Sequence, residues 1–173
     1  GERDARGARE RGVVEEVDPG LAVEAEVVSQ ENLLGEPFDE FDAPHELTLH
    51  TLRVDHWIAG GDGHKDGETI TFLQSGGFLP DGGAAYREGY PILEVGQRYV
   101  IVIKGPSKRT QAGKTGYYTS TAVGVFRVEK GKLVSNGGDL WRGIRVTDEL
   151  EGVTEDAAVA SIAEAASRAN PNH

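Results

Sequence analysis

Apolar and polar residues alternate from Leu21 to Ser29, with Leu21, Val23, Ala25 and Val27 on one parity and Glu24 and Glu26 on the other. Period two over nine residues predicts a strand with one buried face. The next apolar stretch, Leu47 to Ile58, changes phase: Leu47 and Leu49 share one parity, while Leu52, Val54 and Ile58 share the opposite one. A β-bulge near His50 and Thr51 reconciles them and bends the strand, as a small closed sheet requires. Gly60-Gly61-Asp62-Gly63 turns the chain into a third strand, Glu68 to Gln74, where Ile70 and Phe72 alternate with threonines. Arg98 to Lys104 is apolar on both parities and should be the most buried strand. A fifth strand is expected from Tyr117 to Val128, followed by a tight turn, Glu129-Lys130-Gly131-Lys132, into Leu133-Val134.

The intervening segments read differently. Residues 1–12 carry four arginines and three acids with almost nothing apolar, which makes them a flexible tail. Val13 to Val17 fits a short helical segment closed by Asp18-Pro19-Gly20. Two long loops are expected, one from Gln30 to His45 and a glycine-rich one over residues 75–91. Thr154 is a good N-cap, Glu155 and Asp156 suit a helix start, and Val159, Ile162, Ala163 and Ala166 fall on one face, so an amphipathic helix is expected over 155–168. Five strands in meander order without a βαβ rhythm predict a mainly β, five-stranded antiparallel barrel of the OB type, residues 13–173 forming one domain; a flat sandwich is the alternative.

Charge and composition narrow the partners. A formal charge of −11 would repel a phosphate backbone, so nucleic acid is not expected. No apolar run approaches the ~20 residues that span a bilayer. The absence of cysteine excludes disulfides, thiolate metal sites and a thiol nucleophile. The chain opens on Gly1 rather than Met, which is read as processing or trimming that removed an N-terminal signal or anchor.

Leu21-Ala-Val-Glu-Ala-Glu-Val-Val-Ser29, Leu49-His-Thr-Leu-Arg-Val54, Trp57-Ile-Ala-Gly60, Glu68-Thr-Ile-Thr-Phe72, a Gly-Gly pair and Leu93-Glu-Val-Gly-Gln-Arg-Tyr-Val-Ile-Val102 follow one another in an order that resembles the exported bacterial OB-fold domains similar in shape to tissue inhibitors of metalloproteinases. The likeness spans roughly residues 21 to 134 and rests on strand patterns and turn glycines. It implies an OB fold and an extracytoplasmic location, secreted or anchored to the envelope. The inhibitors' N-terminal cysteine has no counterpart here, so their mechanism does not carry over.

Candidate chemistry is sparse. Gly113-Lys114-Thr115 lacks the first glycine of a phosphate loop and precedes a strand. No serine stands in a nucleophile elbow. His50, His56, Asp62, His64 and Asp66 combine imidazole and carboxylate and could hold a divalent ion, the one cofactor the residues suggest. A bulge in the second strand would put the two strand histidines on opposite faces. Glu31, Glu36, Asp39, Glu40 and Asp42 make the first long loop acidic, suited to calcium or a basic partner. Phe38, Phe41, Phe78, Tyr86 and Tyr90 in the two long loops are the candidate ligand-binding residues, since aromatics on a barrel rim are a common way to hold a ligand; the alternative is that they plug the barrel ends and are buried. The functional expectation is a non-enzymatic binding module for a protein or small ligand. The alternatives are a metal-dependent hydrolase using His50, His56 and Asp62, and a structural domain of a larger envelope assembly.

Overall fold

The computed structural model describes residues 20–33, 47–78, 81, 83–86, 88–107, 113–119 and 122–169. The tail at 1–12, the helical segment expected at 13–17, and Phe38 and Phe41 lie outside them. The fold is mainly β, an open, curled half-barrel with a C-terminal helix packed on its outside.

The sheet has eight strands rather than five. They are β1 (Leu21–Asn32), β2 (Leu47–Ala59), β3 (Thr69–Ser75), β6 (Arg98–Ile103), β7 (Gly105–Pro106), β8 (Tyr117–Tyr118), β9 (Val125–Glu129) and β10 (Lys132–Ser135), in the order β10-β9-β6-β1-β2-β3-β8-β7. The short strands β4 (Gly77–Phe78) and β5 (Ala84–Ala85) form a separate hairpin inside the second long loop. The order is not a meander, because β6 returns to pair antiparallel with β1. The single strand expected over 117–128 is broken by a 3-10 turn, Ala122–Gly124, so that β8 lies parallel to β3 while β9 lies antiparallel to β6. Gly116 permits the first of these approaches: a Cβ there would stand 2.6 Å from the Thr71 carbonyl oxygen.

Both faces of the central strands are covered, which explains why β6 is apolar on both parities. Inside the curl, Val23, Ala25, Val27, Leu52, Val54, Phe72, Tyr99 and Ile101 form the main core. On the outer face Ala22, Ile58, Val100, Val102, Phe126 and Leu133 pack beneath two helices, α1 (Arg145–Leu150) and α2 (Glu155–Ala169). The outer parity of β1 is therefore not a solvated face, and Glu24 is buried. α2 contributes Ala158 and Ile162 to this layer, with Val159 and Ala163 partly buried beside them.

The start of α2 is fixed to the edge of the sheet. Glu155 N–H donates to Gly131 O at 2.8 Å and Leu133 N–H to Val153 O at 2.9 Å, and Thr154 Oγ1 accepts from Ala157 N–H at 3.4 Å as the expected N-cap. The β9–β10 turn has positive φ at Lys130 (52°) and Gly131 (77°), the geometry that suits a two-residue hairpin between right-twisted strands.

The bulge expected in β2 near His50 and Thr51 is absent: Leu47 and Leu49 pack with Leu33 and Leu73 in a separate small cluster, while Leu52 and Val54 enter the main core from the other parity. The β2–β3 register runs without a shift from Leu47↔Ser75 to Arg53↔Thr69. The irregularities are with β1: Val28 is extra on β1 opposite Leu52 and Thr51, and Asp55 and Ile58 are extra on β2. Bulging at Asp55 lets Val54 and Trp57 both face inward, and bulging at Ile58 turns that side chain to the outer layer.

Candidate functional site

His50 and His56 end on opposite faces of the sheet. His50 is opposite Phe72, fully buried on the inner side. His56 stands across from Glu24 and is exposed on the outer side. Their separation follows from the bulge at Asp55, not from one at His50. His56 Nδ1 approaches Asp66 Oδ2 at 3.5 Å, and His64 instead bonds Glu68. Asp62 is exposed in the turn. The five proposed metal ligands are thus not brought together, and among the described residues no group of three or more histidine or acidic side chains has the geometry to hold an ion.

What the β2–β3 turn does build is a stacked clip. The His64 ring lies on the Trp57 indole with centroids 4.1 Å apart and planes at 22°. Glu68 Oε1 accepts from Trp57 Nε1–H at 2.9 Å and Lys65 N–H at 3.3 Å, and sits 2.7 Å from His64 Nδ1. A carboxylate oxygen only accepts, so His64 carries its proton on Nδ1. Asp66 Oδ1 accepts from Trp57 N–H at 3.2 Å. His64 and Asp66, which suggested chemistry in the sequence, join Glu68 in holding the loop against the indole.

His50 belongs to a second network, at the opposite end of β2. Gln74 Oε1 accepts from Leu93 N–H at 3.0 Å, while its amide nitrogen donates to Pro91 O at 2.8 Å and Tyr90 O at 3.3 Å, which fixes the orientation of the amide. His50 Nε2, 2.9 Å from the same Oε1, must therefore be the protonated nitrogen. Nδ1 is left as a buried lone pair without a hydrogen-bond partner among the described residues. Burial disfavours the imidazolium and pushes the His50 pKa down to about 4, against the bond to Gln74, which favours the charged form. Asn136 Nδ2–H donates to Pro91 O at 3.1 Å and Thr48 Oγ1–H to Gly76 O at 2.9 Å, so this network anchors the segment from Gly76 to Leu93.

The two long loops leave the sheet at one end. Leu33 N–H donates to Leu47 O at 2.8 Å, closing the base of the first loop, and Leu47 is opposite Ser75, where the second begins. Gly77 lies so close to the Asn32 side chain that a Cβ would meet its Oδ1 at 2.3 Å. β1 runs on to Asn32, so the first loop is shorter than its composition implied, and Glu31 in the strand is paired with Lys114. Of the proposed aromatics, Tyr86 is 52% exposed beside the β4–β5 hairpin, whereas Tyr90 is 7% exposed and belongs to the main core. Phe78 lies in β4.

Sequence reasoning missed one cluster altogether. Arg98, first residue of β6, gives Nε and Nη2 to Glu155 Oε2 at 2.8 and 2.7 Å, Nη1 to Asp55 Oδ2 at 2.5 Å, and Nη2 to Glu24 Oε2 at 3.3 Å. Four elements meet at this guanidinium. The available signal was Arg98 heading the most apolar strand, where a cation needs partners.

Compared with known proteins, the chain matches no family model and no curated sequence.

Proposed function

We propose that this protein is an exported, non-enzymatic binding module of the OB type whose ligand meets the end of the sheet that carries the two long loops. The observation that carries the reading is the shared origin of those loops. The Leu33–Leu47 bond and the Leu47↔Ser75 pairing put the residues that flank the aromatic-bearing segment 34–46 beside the start of the segment that carries Tyr86. A rim built from loops on a stiff sheet is a common location for recognition, because the scaffold holds what the loops vary. The polar network around Gln74 gives the second loop such a foundation.

The OB assignment rests on the resemblance over residues 21–134 and is supported by strand pairing. β6 and β7 are separated by Lys104 alone, and β8 and β9 by the 3-10 turn and its approach. Counted as two bent strands, they give the cyclic order β1, β2, β3, β8–β9, β6–β7 and back to β1. That order is what a five-stranded, partly open Greek-key barrel needs. The location outside the cytoplasm follows from the same resemblance.

The reading is tested by placing the photo-cross-linker p-benzoylphenylalanine at position 86 in one preparation and at position 130, in the β9–β10 turn, in another. Each is irradiated with the secreted and envelope fractions of the producing cells. A discrete adduct at 86 that is absent at 130, and reproduced with the purified adduct partner, is the expected result. Equal labelling at both positions, or none at 86, would count against the loop end as the binding surface.

A further inference from the structure

Three carboxylates surround Arg98 where β1, β2, β6 and α2 meet, and two of them, Glu24 and Glu155, converge on the single nitrogen Nη2. Their side chains are only 11% and 18% exposed, so water does little to separate the like charges. Asp55 has a second cation in Arg53, at 3.3 Å, but Glu24 and Glu155 have only Arg98 between them among the described contacts. One guanidinium cannot neutralise three acids at this burial; the economical solution is a proton held between the two glutamates. The start of a helix favours negative charge, so Glu155, in the first turn of α2, is the member that stays ionised and Glu24 the one that is protonated.

We infer that this cluster is a proton-dependent latch on the start of α2: a carboxyl hydrogen bond from Glu24 to Glu155 fastens the helix to β1, and loss of that proton loosens it. The electrostatics of the site agree. Burial, then the hydrogen bond and repulsion from Glu155, raise the Glu24 pKa to about 7 against the opposing pull of Arg98. For Glu155, burial works upward, but its hydrogen bonds with Glu24 and Arg98 hold it below the usual carboxylate range. The other charged groups near Glu24 are Arg53 and Asp55 on β2, His56 across from it in the register, and Glu26 two residues along β1. Arg53 is engaged with Glu26 and Asp55, and His56 with Asp66. The surface beneath the latch is the outer apolar layer of Ala22, Val100 and Val102, so loosening α2 exposes hydrophobic sheet in response to pH.

A group whose pKa is raised in the closed state favours that state at low pH. The preference is lost as pH rises from the ordinary glutamate range through about 7, and is constant above it. Hydrogen exchange of the amides of α2, corrected for the intrinsic pH dependence of exchange, should therefore show an opening constant that grows at least about tenfold between pH 5 and pH 8. Glu24→Gln keeps a donor toward Glu155 and cannot ionise, so its opening constant should be flat over that range. A parent protein without the rise, or a Glu24→Gln protein that retains it, would overturn the inference. If that variant fails to fold, the carboxyl 13C shift of Glu24 in the parent decides: a midpoint in the ordinary glutamate range overturns the latch, and one near neutrality supports it.

Discussion

Arg98, half-buried, and Gln74, fully buried, each tie distant segments together, but by opposite chemistry. The Arg98 cluster is ionic and joins a helix to the sheet through three carboxylates around one cation. The Gln74 network is neutral and joins a loop to the sheet through one amide that uses both its ends. The difference shows in pH. Glu24 is protonated in the fold and loses that advantage as pH rises from the ordinary range to about 7. His50 is neutral in the fold, so its contribution is complete above its ordinary pKa of 6.5 and is lost as pH falls toward about 4. The slopes are of opposite sign where the windows overlap, so stability should be nearly level in mildly acidic solution and decline on either side. A protein can carry ionisable groups in its interior if the proton, rather than the charge, is what each site is built around.

The largest expected effect breaks the neutral network. Gln74→Leu removes partners from Leu93 N–H, His50 Nε2–H and the Tyr90 and Pro91 carbonyl oxygens together. Leaving buried polar groups unsatisfied costs about 1–3 kcal/mol each where no rearrangement rescues them, so a total loss of roughly 3–5 kcal/mol is expected. This corresponds to a fall in Tm on the order of 10 °C for a chain of this size. Urea and thermal unfolding at pH 7 measure it, and a loss below about 1 kcal/mol would mean that the loop is held by its apolar residues and not by the amide.

A second variant isolates the acid side of the comparison. His50→Leu removes the only titrating group of the Gln74 network along with its unpartnered Nδ1, while Gln74 Oε1 keeps Leu93 N–H. The parent should lose up to about 3 kcal/mol between pH 6.5 and pH 4 through this residue, at about 1.4 kcal/mol per pKa unit. The variant should lack that loss and lie within about 1 kcal/mol of the parent at pH 7. Unfolding free energies at pH 4.5, 5.5 and 7 would reveal it, and an unchanged acid slope in the variant would assign acid sensitivity to other groups.

The parts that were readable in the sequence are those governed by local pattern. Alternation placed β1, β2 and β3, and a continuous apolar run placed β6, within a few residues; Lys130-Gly131 announced the hairpin, and Thr154 with Glu155 and Asp156 marked the helix start. What could not be read is set by pairing. No local signal says that Asp55 is the extra residue of β2, because a bulge is defined against its partner strand. The break at Ala122–Gly124 depends on β8 and β9 having different neighbours. The candidate site suffered for the same reason. His50 and His56 were expected on opposite faces, but through a bulge at His50 and Thr51, whereas the register places the extra residue at Asp55. Glu24 looked solvated because alternation cannot report that a helix some 130 residues later covers its face. Gln74 ended the third strand with nothing to indicate that its amide would anchor a loop.

The smallest expected effect sharpens the ionic half. Arg53 sits at the rim of the Arg98 cluster, 46% exposed, with Glu26 at 3.2 Å and Asp55 at 3.3 Å. An exposed ion pair in a high-dielectric setting contributes little and is screened by salt, so Arg53→Ala should change stability by no more than about 0.5 kcal/mol. The change should shrink further in roughly 0.5 M salt, where the Debye length falls below about 5 Å. Asp55 keeps its bond from Arg98 in that variant, so the latch and its pH response should persist. Urea unfolding at low and high salt supplies the measurement. A loss above about 1 kcal/mol that salt does not reduce would show that Asp55 depends on Arg53 as much as on Arg98, and the ionic centre would then have to be drawn outward to the surface of β2.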